Sequence, residues 1–353
     1  MGFNMHIPDG YLSPLTCVVG YAAVIPFWWL ALRKVQRRLT TRLVPTMAVF
    51  TAFSFVVMMF NLPIPGGTTA HAIGIGIATI VLGPWAAMLA VSMALLIQAL
   101  FFGDGGITTF AFNSLNMAVI GAGVAWAAYR LGTRGAASNA RRVAAAAVAG
   151  YLAINAAGLA TAVELGLQPL LFHTADGTPL YAPYPLHVAI PAMAIAHLTL
   201  AGVAELVATA GILAWLQKSN PEWLELGLRA PRAPRRVTVR RLWLGLAVMM
   251  ILTPLGLLAT ATAWGEWAPG DFATEHALIT AQSLNHAAPT VAPAGMARLA
   301  SVWTSPIPDY APAFMRSEMF GYMLSAVVGT GLIVLVWLLL AALLGRQRRP
   351  ARD

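Results

Sequence analysis

Charged residues and cysteine are both scarce in this chain of 353 residues. Only 10% of the residues are charged, whereas a soluble domain carries roughly 25%. The single cysteine, Cys17, excludes a disulfide framework and a cluster of thiolates around a metal. The chain also lacks the sequence patterns of a P-loop, of a His-Glu-x-x-His metalloprotease and of a Gly-x-Ser-x-Gly hydrolase. These absences argue against a soluble protein, a P-loop ATPase and the common hydrolases.

Apolar residues are abundant, at 59% of the chain, and the mean hydropathy is +0.72. They form runs near the length of about 20 residues that a helix needs to cross a bilayer. The sequence therefore predicts an all-α polytopic membrane protein, with a seven-helix bundle followed by two further transmembrane helices. The nine predicted segments are roughly 14–32, 43–62, 71–82, 84–102, 107–131, 143–165, 186–216, 242–263 and 319–345.

The third segment, 71–82, is half the length of a membrane span, and Gly83-Pro84 separates it from the fourth. Because lipid cannot satisfy the broken ends of such a helix, we expect it inside the protein or beside a cavity. Polar sequence sets the last two segments apart from the rest. The predicted division is a first module over 5–216, a basic linker over 217–241 and a second module over 242–353 with an outer loop at 264–318.

Lysine and arginine predict the orientation. All 22 except Arg298 and Arg316 lie between segments one and two, between five and six, in the linker or in the C-terminal tail. If every segment spans, these groups share one side, which the positive-inside rule assigns to the cytoplasm. We therefore expect a multi-pass protein of a bacterial inner membrane, with the N-terminus outside and the C-terminus cytoplasmic. This placement of basic residues accounts for the high pI without a nucleic acid as partner. Membrane lipid is the expected surrounding.

Two motifs meet at the predicted outer surface, Met5-His6-Ile7-Pro8-Asp9-Gly10 and Gly66-Gly67-Thr68-Thr69-Ala70-His71. If the mature chain begins at Met5, its amine, the backbone nitrogen of His6 and a ring nitrogen of His6 form fused five- and six-membered chelate rings. The ring of His71 supplies a fourth nitrogen. Four nitrogens in a plane suit Ni(II) or Cu(II), whereas Mg²⁺ and Ca²⁺ need oxygen ligands.

This ligand set depends on the start of the mature chain. As an internal residue, Met5 offers only an amide, so translation must begin there or the first four residues must be removed. No catalytic residue is predicted. The side chains expected to support the imidazoles are Asp9, Asn61, Thr68, Asn113 and Asn116, for each of which a purely structural role is the competing interpretation.

Ionisable residues deeper in the chain leave alternatives open. His197 and Glu205 share one face of segment seven, where they form either an exit path for an ion or hydrogen bonds between helices. A metal-dependent membrane enzyme remains possible, although Glu275-His276 lacks a second histidine at the spacing of a zinc protease. A haem-binding membrane protein also remains possible, with His71, His187 and His197 as its candidate axial ligands.

The motifs resemble those of a known family, the substrate-capture subunit of nickel/cobalt energy-coupling-factor transporters, over about residues 5–216. The matching stretches are 5–14, 66–71, Gly83-Pro84-Trp85, 102–106 and 112–117. Residues 242–345 resemble the small accessory subunit of the same systems, fused here to the capture subunit. The matching stretches are 264–267 and 306–310. We call the two parts the capture module (5–216) and the accessory module (242–353).

The resemblance implies that Met5, His6 and His71 bind Ni(II) or Co(II) as transported substrate. Nickel is favoured, and cobalt uptake linked to cobalamin biosynthesis is the alternative. It also implies a transmembrane coupling subunit and ABC-type ATPase subunits as partners, so this chain is a transporter subunit and not an enzyme. Within the accessory loop, His276 and His286 either feed metal to the site or are ordinary solvated side chains.

Overall fold

A computed structural model describes residues 6–36, 43–64, 68–135, 137–219, 240–259, 262–274 and 289–346. Met5, His276, His286 and most of the predicted linker lie outside the described residues. Within them the chain is mostly helical, and its strands form one two-stranded antiparallel sheet. The prediction of an all-α polytopic membrane protein is confirmed.

Nine principal helices and two strands make up the described fold. In chain order they are α1 (Pro14–Gln36), α2 (Leu43–Met58), β1 (Leu62–Ile64), β2 (Thr68–Ala70), α3 (Ile75–Leu82), α4 (Pro84–Phe102), α5 (Phe110–Gly132), α6 (Asn139–Leu171), α7 (Leu186–Ser219), α8 (Arg240–Leu258) and α9 (Glu318–Arg346). All except α2 and α3 are long and apolar enough to cross a membrane. That all nine predicted segments span remains a prediction.

The break between α3 and α4 follows from Gly83 and Pro84. Gly83 has φ +81°, which glycine adopts without steric cost, and its N–H donates to the carbonyl of Thr79 to end α3. Pro84 begins α4 at a position where no N–H is needed. All eight residues of α3 are buried, which confirms the prediction that this short helix lies inside the protein.

A hairpin replaces helix between α2 and α3. The sequence predicts apolar segments over 43–62 and 71–82, but α2 ends at Met58 and α3 begins only at Ile75. The strands between them pair Leu62 with Ala70 and Ile64 with Thr68. Proline at position 63 fixes φ and lacks an N–H, which disfavours further helix.

Helix α9 packs the accessory module against α2. Trp337 Nε1 donates to Thr51 Oγ1 at 3.0 Å, and Tyr322 donates its hydroxyl to the carbonyl of Met59 at 3.0 Å. Gly329 lies against Phe55 so closely that a Cβ there would approach the ring to 2.2 Å. The second module is therefore joined to the first by buried contacts between helices.

Candidate metal site

The two imidazoles predicted from the sequence lie together. The ring centroids of His6 and His71 are 5.2 Å apart, with the ring planes at 71°. The two side chains are buried, with 3% and 8% of their surface exposed. The structure thus brings together two of the three predicted ligand residues, and the third, Met5, lies outside the described residues.

Hydrogen bonds to Ile7 hold the N-terminal segment in the bundle. Its N–H donates to Asn113 Oδ1, and Asn113 Nδ2 donates back to its carbonyl, both at 3.1 Å. The same carbonyl accepts from the N–H of Gly106 at 2.9 Å and from the hydroxyl of Thr109. Because Ile7 follows His6 directly, these bonds fix the backbone beside the predicted ligand.

Asp9 ties the same segment to the loop after α4. Its carboxylate accepts from the backbone N–H of Ile107 at 3.2 Å and from that of Thr108 at 2.7 Å, and also from the hydroxyl of Thr108. Gly106 is so close that a Cβ there would lie 2.3 Å from the Asp9 nitrogen. Only glycine at residue 106 permits this approach of two backbones.

Asp104 is the partner of the His6 ring. His6 Nδ1 donates to Asp104 Oδ1 at 2.9 Å. The other carboxylate oxygen accepts from the Tyr310 hydroxyl at 2.6 Å and from Gln98 Nε2 at 3.2 Å. A carboxylate paired with an imidazole fixes the ring's orientation and tautomer. Since Tyr310 belongs to the accessory module, both modules help to position His6.

Tyr310 is held in an unusual backbone conformation. Asp309 and Tyr310 have φ +56° and +58°, a region that residues other than glycine seldom adopt. The Tyr310 ring stacks on Phe102 with centroids 4.8 Å apart. Burial, and next the charge of Asp104, raise the pKa of Tyr310 well above its usual range. The hydroxyl therefore stays protonated and donates to Asp104.

The segment after His71 is anchored by Glu205. His71 Nδ1 donates to the carbonyl of the next residue at 3.0 Å, which places the ring's lone pair on Nε2. Glu205 then accepts from the backbone N–H groups of Ile73 and Gly74 at 2.8 Å and of Gly76 at 3.0 Å. Such N–H groups at a helix start lack partners within the helix. Glu205 thus makes the hydrogen bonds between helices that were one of its two predicted roles.

A cavity of about 60 Å³ adjoins the two rings. That volume holds an ion with a few waters. Side chains from both modules line it, including those of His6, His71, Asn113, His197, Trp264 and Glu266.

Two ionisable residues of this cavity differ in how they are bonded. Within the helical bundle, His197 contacts the Met193 carbonyl through Nδ1 at 2.8 Å. Glu266 is 7% exposed, and its Oε2 is buried without a hydrogen-bond donor among the described residues. Burial, followed by the charge of Asp104, raises the pKa of Glu266 well above its usual range.

The three remaining predicted supporting residues are not among the described residues that line the cavity. Asn116 donates to Glu164 Oε2 at 2.7 Å, and Thr68 donates to the carbonyl of Thr262 at 3.2 Å. Asn61 is buried and is not among the described residues that line the cavity. Of the five, Asn113 and Asp9 are the ones bonded to the segments around His6.

No three His, Cys, Asp or Glu side chains in the described part of the chain are close enough to hold a metal by themselves. The predicted set accordingly takes its further donors from the backbone and from Met5, which lies outside the described residues. Sequence reasoning missed Asp104 and Tyr310 as site residues. The sequence does place Asp104 between two glycines in a predicted loop. This pattern does not show that its partners are His6 and Tyr310.

The bundle and its paired buried histidines define a polytopic helical membrane protein with a candidate metal site. Residues 6–223 match the model of the CbiM family, the cobalt uptake substrate-specific transmembrane region, and residues 240–346 match the PDGLE domain. The chain therefore belongs to the CbiM family, with a PDGLE domain joined to it.

Individual relatives agree with this assignment. The fused nickel transport protein NikMN of Rhodobacter capsulatus is 59% identical over 94% of this chain and 95% of its own length. The cobalt transport protein CbiM of Geobacter sulfurreducens is 33% identical over 75% of each chain. A crystal structure of a transition metal transporter has a TM-score of 0.58 and 56% identity, covering 61% of this chain and 93% of that one. The family and these relatives confirm the prediction of a transport protein rather than an enzyme.

Proposed function

We propose that this chain captures Ni(II) at the outer face of a bacterial inner membrane for ATP-driven import. The observation that supports this most is the pair of rings, His6 and His71, 5.2 Å apart beside one cavity. The N-terminal segment that would supply the backbone nitrogens enters at the same place. A nitrogen-rich site of this kind selects late transition metals over hard ions.

The ligand set is the amine of Met5, the backbone nitrogen and ring of His6, and the ring of His71. The His71 ring has the tautomer that this ligand set needs. Its Nδ1–H donates to a carbonyl, so Nε2 carries the lone pair that would bind the metal. For His6, the six-membered chelate ring requires Nδ1, which donates to Asp104 in this structure. Metal binding in this mode therefore requires His6 to leave its present bond with Asp104.

A half-turn of the His6 ring about Cβ–Cγ resolves this conflict. The turn moves Nδ1 away from Asp104 and brings Nε2 to the position of Cε1, the ring atom bonded to Nδ1. In the proposed metal-bound state, the Asp104 carboxylate turns to accept from Nε2–H instead. The same carboxylate serves both ring orientations, as expected for a residue that orients a metal ligand.

Nickel is favoured over cobalt for two reasons. A deprotonated backbone amide with three further nitrogens in a plane suits Ni(II), whose preferred geometry with such donors is square-planar. The relative named as a nickel transport protein is also 59% identical, compared with 33% for the relative named as a cobalt transport protein. Cobalt remains the competing substrate in the test below.

The chain acts with partners in this proposal. A transmembrane coupling subunit and ABC-type ATPase subunits bind at the basic cytoplasmic face and drive release of the ion inward. The proposed division of labour assigns capture to 5–216, a cytoplasmic link to 217–241 and an accessory role to 242–353, with the N-terminus outside. The family description, a substrate-specific transmembrane region, supports a separate source of energy.

Metal binding by the purified full chain tests the proposal. Intact-mass spectrometry establishes whether the mature protein begins at Met5, and a competition titration compares affinities for Ni(II) and Co(II). His71→Ala should weaken Ni(II) binding by more than about 100-fold, beyond the usual loss for residues that only orient ligands. His173→Ala is the matched control, because His173 is exposed and its Nδ1 bonds to a local carbonyl.

Two results would contradict the ligand set. One is active protein that retains residues 1–4, since Met5 would then lack an amine. The other is unchanged Ni(II) affinity in the His71→Ala protein. Tighter binding of Co(II) than of Ni(II) would reverse the choice of metal and leave the site in place.

A further inference from the structure

Glu266 is fixed between the two segments that carry the histidines. Ala263 pairs with Thr69 in a parallel β-bridge, two residues before His71. On the other side, the carbonyl of Trp267 accepts from the Tyr11 hydroxyl at 2.8 Å, which ties the turn to the N-terminal segment. The accessory module thus places Glu266 beside the cavity through contacts with both halves of the site.

Two side-chain atoms of this turn are buried without a hydrogen-bond partner among the described residues. Glu266 Oε2 has no donor and Trp264 Nε1 has no acceptor among the described residues, although both atoms are buried. Both residues line the cavity of His6 and His71. Buried polar atoms without partners are costly, so native proteins seldom keep them without a function.

Among the described residues, no side chain with a permanent positive charge lines the cavity to balance a carboxylate. None of the described residues that line it is lysine or arginine. A buried carboxylate is normally paired with a cation or coordinates a metal. Glu266 and the two imidazoles do not converge closely enough to hold one ion together. The carboxylate thus lines the same cavity as the two rings without joining them as a third ligand of one ion.

We infer that Glu266 is an entry ligand, a carboxylate of the accessory module that binds the incoming hydrated divalent cation inside the cavity before the nitrogen donors take it. This inference rests on the proposed function of the cavity as a metal site. It gives the accessory module a direct chemical part in capture, in addition to its packing against the bundle.

The test is the rate of Ni(II) association with the purified full chain, measured by stopped flow. Glu266→Gln keeps the size of the side chain and removes the carboxyl that gives up its proton as the cation binds. Without this anionic ligand in the cavity, the variant should bind Ni(II) about 10-fold more slowly, the lower end of the effect that charge in a cleft has on association rates. Asp271→Asn is the matched control, since it removes a charge from the same loop. Asp271 is not among the described residues that line the cavity, and its carboxylate accepts from the nearby Ala268 N–H at 3.0 Å.

Thermal stability separates this role from a structural one. Without added metal, Glu266→Gln should melt at the same temperature as wild type, because burial favours the uncharged carboxyl there and glutamine has nearly the same size and shape. A structural role predicts a lower melting temperature and an unchanged association rate. That result, or an equal slowing by Asp271→Asn, would overturn the inference. If His71→Ala loses Ni(II) binding and Glu266→Gln binds Ni(II) at the normal rate, only the entry ligand is rejected. A wild-type protein that binds no Ni(II) would reject the proposed function itself.

Discussion

The capture and accessory modules contribute to the same site in different ways. In the capture module the central helices α2, α3 and α4 are largely buried. The segment of His6 is bonded to the loop after α4 and to α5, and the segment of His71 leads into α3. In the accessory module α8 and α9 have broadly exposed apolar faces, as helices beside lipid would. Among the described residues, its contacts with the site come from two loop segments, 262–267 and 303–310.

Within the accessory module, the helices provide the packing against the capture module and the loops position side chains at the site. The accessory helices dock on α2, while the loops between them bring Tyr310 to Asp104 and Glu266 to the cavity. Loops on a rigid scaffold commonly carry binding residues in this way. The predictions below test this division, first at the capture module and then at the accessory module.

The largest loss is expected from Gly106→Ala in the capture module. The added Cβ would lie 2.3 Å from the Asp9 nitrogen, so the N-terminal segment must shift away from its bonds. We expect Ni(II) binding to fall below detection in a titration of the purified protein. Gly123→Ala is the control, since a Cβ there meets no atom within 4 Å. Wild-type affinity in Gly106→Ala would show that the segment is not held as described.

Asp104→Asn should weaken Ni(II) binding by about 100-fold, the upper range for residues that orient metal ligands. The amide keeps the shape but loses the charge that holds the His6 ring. Equilibrium competition with a chelator measures the change. Asp176→Asn provides the comparison, because Asp176 bonds to the local Thr178 on an exposed loop. Equal affinities in the two variants would remove Asp104 from the site.

Tyr310→Phe should weaken Ni(II) binding by about 10-fold, the lower end of the same range. It deletes the hydroxyl that donates to Asp104 at 2.6 Å and leaves the ring stacked on Phe102. The same competition assay measures it, in parallel with Asp104→Asn. In the double variant the two effects should not add, because both act through one carboxylate. Fully additive losses would mean that Tyr310 acts by another route.

Trp337→Phe should leave Ni(II) affinity unchanged and lower the free energy of unfolding by about 2 kcal/mol, because the buried Thr51 hydroxyl loses its partner and the smaller ring leaves a cavity. The change removes the bond to Thr51 that docks α9 on α2. Melting temperature and metal titration are measured on the same sample. Trp215→Phe is the control, since Trp215 is 39% exposed. A weakened metal site in Trp337→Phe would show that docking and positioning cannot be separated.

Much of the fold was predictable because its signal is local. Apolar runs predicted where helices lie, and Gly83-Pro84 predicted the short buried α3. The hairpin before His71 was not predicted, because strand pairing depends on a partner segment rather than on the run itself. The site divides in the same way, since the spacing and motif suggested His6 and His71, whereas their supporting residues follow from contacts across the fold.

The sequence by itself determined a helical membrane protein, its family resemblance and two histidines suited to a late transition metal. Tertiary structure decided which residues hold those rings. His6 meets Asp104 across 98 positions and Asp104 meets Tyr310 across 206. Hydropathy and helical spacing report only on near neighbours in the chain, so contacts of that range exist only after the helices and loops have packed.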